Sequence, residues 1–371
     1  MSFLRTRHTI WKELSDGIRG SINPVATEPA MIKKISRPAR ELVDNMSRLR
    51  IGKNNYRCSL HVRRFHRLIM AIISQEQFID LVASKVNLES LAADYISHIH
   101  TERDKGRGIP IEEEDQLIKA LQKAHDSFYR FADKFNTEQR IILELGSGFG
   151  GFVLLGNLHG VKTLGVEPDL KMVWITKQML SSFGFDQDLV QPSMGEDLPF
   201  KENHFDYVVS FQVLEHVDDP AKVLGESIRV LKPTGYLYFI FPNYNSFYEG
   251  HIKKIWFPFI NKKNVKAYLK LLGVNEEKLR YVNFLTPMVV KDYLKYYKDS
   301  IKIISLGEKE FTNEFFCEKN ISKIRNKYLA WVFKLVFLLR LNKLVARLLL
   351  SLQWYYPVVL IVKKQFSTGG R

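Results

Sequence analysis

The chain has 371 residues, 46% hydrophobic and 26% charged, a balance that excludes wholesale disorder and leaves room for one large or two modest cores. Cys58 and Cys317 lie far apart with no Cys/His cluster, which points to a reducing compartment and against a disulfide framework or a structural metal. The net charge of +15 is segregated: residues 1–70 carry 15 Lys/Arg against 5 Asp/Glu, residues 71–250 carry 16 against 27, and residues 251–371 carry 24 against 8. Basic ends around an acidic middle favour an anionic partner: phospholipid headgroups, phosphorylated substrates or nucleic acid.

In chain order, Arg5, Arg7 and Lys12 have no apolar run behind them, so no signal peptide is expected and a cytoplasmic location is the expectation. Residues 1–110 read as a helical region, with HVRRFHRLIMAII (61–73) half basic and half apolar; Gly106, Gly108 and Pro110 predict a linker. Leu117, Leu121, Ala124, Phe128, Phe131 and Phe135 then recur at steps of four and three, the spacing of one apolar helix face. The acidic run Glu112–Asp115 suits the first turn of that helix, where the macrodipole favours negative charge.

Beyond it, short β-branched runs alternate with helical patterns. Strands are predicted near 140–145, 162–166, 188–191, 205–212 and 235–242, with helices near 151–159, 169–183 and 221–231. Such alternation predicts βαβ units and a parallel sheet covered on both faces. Residues 301–306 and 356–362 predict two more strands, separated by a long insertion.

The first strand runs into LELGSGFGGF (143–152), with four glycines in six positions. Gly146, Gly148 and Gly150 make GxGxG, while Gly146, Gly148 and Gly151 also satisfy the dinucleotide fingerprint GxGxxG. Both patterns allow a sharp strand-to-helix turn with a ligand close to the backbone. No Lys-Ser/Thr follows, which argues against a triphosphate P-loop. Glu167, 21 residues after Gly146, ends the next strand, where a carboxylate can accept from both hydroxyls of a ribose. These residues specify a nucleoside-containing ligand without saying which.

Three later segments follow in order: GEDLPF (195–200), FDYVVSFQVLEHVDDP (205–220) and RVLKPTGYLYF (229–239). Together with LELGSGFGG and GVEPD, they resemble the class I S-adenosylmethionine-dependent methyltransferases, in the branch that includes quinone-biosynthesis and many small-molecule methyltransferases. The resemblance covers roughly 128–242, about a third of the chain. It implies a Rossmann-like, doubly wound, seven-stranded, mostly parallel sheet, here with an N-terminal helical region and a C-terminal amphipathic helical insertion. The implied organisation is a helical region 1–110, a core 111–310 with an acceptor-side insertion 243–300, amphipathic basic helices 311–355, and a last strand and tail 356–371. It also implies S-adenosyl-L-methionine as cofactor, with Glu144, Gly146, Ser147, Gly148 and Gly150 beneath its methionine part and Glu167 and Pro168 at the ribose. Gly195 and Glu196 would border the adenine, since Met194 stands where many relatives have Asp; Gln212 and Val213 would border the transferred methyl. Thr234 replaces the first glycine of the usual turn. The (Asp/Asn)-Pro-Pro-(Tyr/Phe) motif of amino methylation is absent, which disfavours nucleic acid as substrate. Candidate bases are His216 in LEHV and His251 in PNYNSFYEGH.

Residues 321–357 combine apolar runs too short to span a bilayer with Lys334, Arg340, Lys343 and Arg347. They predict two amphipathic helices with a break near Leu341–Asn342, with Leu344, Leu348, Trp354 and Tyr355 facing an interface and the basic stripe facing anionic headgroups. Packing on the protein and a dimer contact are the alternatives. The resulting expectation is a peripheral-membrane O-methyltransferase acting on a small-molecule, glycan or lipid-linked acceptor. A quinone-like lipid acceptor, a non-catalytic scaffold of the same fold and a nicotinamide oxidoreductase are the competitors. Oligomeric state is left open.

Overall fold

The computed structural model describes residues 74–88, 90–91, 113–249, most of 252–315 and 327–366. The chain divides into two units between His66 and Arg67, and every described residue belongs to the second. The segment 61–73, the linker glycines, both cysteines and His251 lie outside the described residues.

Helix α1 (Gln75–Lys85) opens with a capping box in which the Ser74 side chain accepts from the Gln77 amide and the Gln77 side chain accepts from the Ser74 amide. Its Phe78 and Val82 pack in the same cluster as Leu117, Leu121, Phe128 and Phe131 of α2 (Glu113–Lys134). The helical stripe read from the sequence is thus the buried face of α2. Helix α1 contributes to the same apolar core.

From there β1 (Ile141–Leu145), α3 (Gly151–Leu158), β2 (Lys162–Glu167), α4 (Leu170–Ser182), β3 (Val190–Pro192), β4 (Phe205–Phe211), α5 (Pro220–Val230) and β5 (Leu231–Phe241) follow in alternation. After β5 come the two-residue strands β6 (Tyr248–Glu249) and β7 (Lys254–Ile255), then α6 (Val265–Leu271), α7 (Pro287–Leu294), β8 (Ile301–Ser305), α8 (Lys327–Leu338), α9 (Asn342–Ser351) and β9 (Val358–Lys364). The main sheet has the order β3-β2-β1-β4-β5-β9-β8. Strands β1 to β5 pair in parallel, and β9 runs antiparallel to both neighbours. All seven strands fall where the residue pattern placed them.

Two apolar clusters cover the faces of the sheet, one with α1 to α4 and one with α5 and α7. Asp206, at the start of β4, ties three strands together: it accepts from Arg140 Nη1 (3.0 Å), the Ile141 amide (3.0 Å) and Lys232 Nζ (2.8 Å). Burial works against its charge, but these donors outweigh that and hold the carboxyl below the ordinary range. At the same end, Lys364 of β9 donates to the carbonyls of Ile228 and Leu231 (both 2.8 Å), satisfying the C-terminus of α5.

Residues 244–285 form a third, separate cluster around fully buried Trp256, whose indole N–H donates to the Tyr244 carbonyl. Tyr244 stacks on Phe284 with ring centroids 4.6 Å apart. Tyr355, expected at an interface, is buried instead: it packs with Phe311 and Ala346, and its hydroxyl donates to the Leu306 carbonyl at 3.0 Å. It lies three residues past Leu352, the C-cap of α9, on the way into β9. No helix among the described residues is long and apolar enough to cross a membrane.

Candidate active site

The carboxyl ends of β1, β2 and β4 come together where the strand order reverses, the usual ligand position in an open α/β sheet. The β1–α3 loop crosses towards β2 because the amides of Gly146 and Ser147 both donate to the Val166 carbonyl, at 2.9 and 3.0 Å. Gly146, Gly148 and Gly150 have φ of +67°, +52° and +69°, the left-handed region that side chains rarely enter. The glycines nevertheless serve different ends. A Cβ on Gly146 would lie 2.5 Å from Val213 Cγ2, one on Gly150 2.1 Å from Thr176 Cγ2, and one on Gly151 2.7 Å from the Ala124 Cβ. Those three make room for the protein's own side chains. A Cβ on Gly148 would meet nothing within 4 Å, so this glycine faces open space.

Glu167 closes β2 and is fixed from both sides. The Gly148 amide donates to its Oε2 at 2.9 Å and the Asp169 amide to its Oε1 at 3.2 Å. Burial raises its pKa, and the two amides only partly offset this. Asp169 also caps α4, accepting from the Lys171 amide at 2.8 Å, so exposed Pro168 sits between ligand acid and helix cap. Glu144, buried within β1, has its pKa raised well above the ordinary range by burial and then by the neighbouring Glu167 charge. Glu144 Oε2, Ser147 Oγ and Glu196 Oε2 are buried without a hydrogen-bond partner among the described residues. Such atoms are costly unless something else satisfies them.

Glu196 uses its other oxygen as a brace, with Oε1 accepting from the amides of Asp218 and Asp219 at 3.0 and 3.1 Å. Gly195 packs on Val223, 3.3 Å from the position a Cβ would take. Gln212 ends β4 in a left-handed conformation (φ +60°), its amide held by the Ile240 carbonyl at 2.7 Å and its side chain exposed. Val213 follows and fills the space over Gly146. The His216 amide closes the turn onto the Val213 carbonyl, and its ring Nε2 lies 3.9 Å from Glu215 Oε1.

Three residues to which the sequence reading gave no role organise this edge. Arg229 donates to the Leu198 and Phe200 carbonyls and pairs with Glu226, which in turn receives the Leu198 amide, so LPF is clamped to α5. Asn283 donates from its amide to the Glu215 carbonyl (2.7 Å) and from Nδ2 to the Val217 carbonyl (2.6 Å), bolting the 244–285 cluster onto the His216 turn. Asn243, fully buried, donates to the carbonyls of Gln353 and Tyr355 at 2.8 and 2.6 Å. These asparagines act on backbone atoms distant in sequence, so spacing carries no sign of them.

A doubly wound sheet with an acid-clamped glycine loop defines a nucleoside-binding protein. Residues 143–239 match the family model described as a methyltransferase domain. An uncharacterised methyltransferase of Mycobacteroides abscessus is 26% identical over 161 residues, covering 43% of this chain and 62% of the relative. One from Mycobacterium leprae is 31% identical over 30% of this chain and 40% of its own length. An uncharacterised protein of Methanocaldococcus jannaschii is 33% identical over 35% and 62%. The chain thus spans between two and about three fifths of these curated relatives. Among solved structures, an S-adenosylmethionine-dependent methyltransferase of Mesorhizobium loti is 18% identical, with 66% of this chain and 97% of that one covered and a TM-score of 0.42; the strand order, not this alignment, carries the fold assignment. Residues 143–239 are thus similar to the domain of class I S-adenosylmethionine-dependent methyltransferases. The site fits that cofactor: Gly148 offers open backbone, Glu167 a fixed acceptor, and Glu144 and Ser147 unsatisfied buried atoms.

Proposed function

We propose that the protein transfers the methyl group of S-adenosylmethionine to an oxygen of a lipid-linked or glycan-type acceptor at a membrane surface. The observation that supports the cofactor half of this reading is the Glu167 carboxylate, locked by the Gly148 and Asp169 amides beside a glycine with open space in front of it. Bound here, the cofactor would supply a methyl carried on a sulfonium. Glu167 would hold the ribose, and Glu144, Ser147 and Gly148 the methionine end. Gln212 and Val213 border the reacting side. His216 takes the acceptor proton, its ring Nε2 lying 3.9 Å from Glu215 Oε1. His251 is the second candidate base. The 244–285 cluster, bolted to the His216 turn through Asn283, covers the acceptor side and keeps water from it.

Calorimetric titration with S-adenosylmethionine tests the first half. Micromolar binding is expected, and Glu167→Ala weakens it roughly 10–100-fold through loss of a charged acceptor. Absence of binding in the wild type would revive the scaffold reading. The acceptor is sought by incubating a membrane and glycan extract with isotope-labelled cofactor and reading labelled products by mass spectrometry. His251→Ala is expected to abolish that turnover and leave cofactor affinity intact; unchanged turnover removes His251 from the reaction.

A further inference from the structure

We infer that α8 and α9 are a docking element for an anionic lipid bilayer, and that they bring the carboxyl edge of the sheet, with its cofactor site, to the lipid surface. Trp331, Leu335 and Leu338 recur at i, i+4 and i+7 on α8, and their outer face is open: Trp331 is 63% and Leu338 78% exposed. On α9, Leu344 and Leu348, 64% and 57% exposed, form a second outward stripe, while Ala346 is buried beneath. A folded protein does not leave such large aliphatic side chains in register on two consecutive helices without a partner.

The cations decide what the partner is. Lys343 and Arg347, four residues apart, run beside the Leu344–Leu348 stripe, and Lys334 and Arg340 are exposed on and just after α8. From Lys319 to Arg371 the sequence has no Asp or Glu. A second copy of this surface would bring like charges together around the apolar contact, which disfavours self-pairing. Nucleic acid would use the cations and leave the leucines in water. An anionic bilayer satisfies both sets at once, leucines and tryptophan below the headgroups and cations among them. With 12 and 10 residues the helices are long enough to lie in that interface and too short to cross it.

Topology supplies the link to the site. Strand β8 runs parallel to β5, so the insertion leaves it at the carboxyl edge, and it re-enters at Val358 opposite Phe241, the last residue of β5. Asn243 and Asn245, just past β5, donate to the carbonyls of Gln353, Tyr355 and Leu352, and Phe247 meets Trp354 edge to face at 4.8 Å. The helices are thereby fastened to the segment that follows the cofactor-binding half of the sheet. This inference deepens the lipid-linked acceptor reading, but its readout needs no turnover.

The full chain is sedimented at low and high salt with phosphatidylcholine vesicles, with or without phosphatidylglycerol. Binding is expected only with the anionic lipid, together with a blue shift of tryptophan fluorescence. Because a chain of net charge +15 has other basic regions, the variants carry the test. Leu344→Glu/Leu348→Glu and, separately, Lys343→Glu/Arg347→Glu are each expected to weaken partitioning at least about tenfold. Both should keep wild-type affinity for S-adenosylmethionine, so failure of docking and failure of the cofactor reading are told apart. No binding by the wild type at low salt overturns the inference, as does wild-type binding by both variants. A wild-type dimer that the leucine substitutions dissociate would also overturn it, in favour of a second copy.

Discussion

At the scale of single residues, the site holds two carboxyls whose protons are retained above the ordinary range. Glu144 is raised by burial and then by the Glu167 charge, and Glu167 by burial despite its two amide donors. A carboxyl raised in the folded state contributes stability that is full below its unfolded pKa, near 4.5, and is lost as pH climbs through the raised value. A cationic ligand reverses the preference, because it favours the ionised carboxylates. S-adenosylmethionine is therefore expected to bind more tightly as pH rises through that window and to release protons on binding. Calorimetry in two buffers of different ionisation enthalpy measures the release, which Glu144→Gln should reduce. A pH-independent affinity with no proton release would refute the account. Thr234 is a second case of local cost. It has φ of +69°, at the place where the family resemblance implies a glycine, and a β-branched residue there is strained. Thr234→Gly removes that strain and adds some chain entropy to the unfolded state, for a net gain of up to about 1 kcal/mol. A thermal melt should show Tm rising by about 1–3 °C.

At the scale of elements, helix ends separate what the sequence shows from what it hides. Helices α3, α4 and α6 close with Gly160, Gly184 and Gly273 in the left-handed position, and the amide of the next residue reaches back to an orphan carbonyl, as Val161 does to Gly156. Those glycines are legible stops. Helices α8 and α9 end the same way on Arg340 (φ +57°) and Gln353 (φ +55°), with Leu341 donating to Val336 and Trp354 to Leu349. Nothing in an Arg or Gln announces a left-handed cap. The break near Leu341–Asn342 is readable only because Arg340, Lys343 and Arg347 share one helix face while Lys334 lies roughly opposite. Gln353→Gly should relieve the strain while leaving its carbonyl free to accept from Asn243, raising stability by a few tenths to about 1 kcal/mol in denaturant unfolding. The strands were legible for another reason: buried on both faces, they had to be continuous β-branched and aromatic runs between helical patterns. Asn243 and Asn283 were not, because their partners are main-chain carbonyls far away in sequence.

At the scale of the whole molecule, the sheet and the insertion that follows β5 lie in one compact unit but have distinct apolar clusters joined at a few points. The sheet is sandwiched between two large apolar clusters, whereas the insertion has its own small one around Trp256, Tyr244 and Phe284. The joints include Tyr244 to the Leu285 carbonyl and Asn283 to the turn that carries His216. The proposed cofactor residues belong to the sheet, and the proposed cover over the acceptor side to the insertion. A substitution confined to the small cluster should therefore divide the two halves of the activity. Trp256→Ala empties a fully buried site that Tyr244, Tyr268 and Phe284 surround edge to face, at a cost of about 3–5 kcal/mol. That cost falls on a cluster too small to absorb it, so the insertion should open locally while the sheet stays folded. Hydrogen exchange is expected to accelerate in 244–285 and in the 215–217 turn, with protection unchanged in β1, β4 and β5. Affinity for S-adenosylmethionine should stay within about threefold, less than the cost of one hydrogen bond, while turnover of any acceptor collapses. Loss of cofactor binding in parallel with turnover would show instead that the insertion and the sheet fold as one unit.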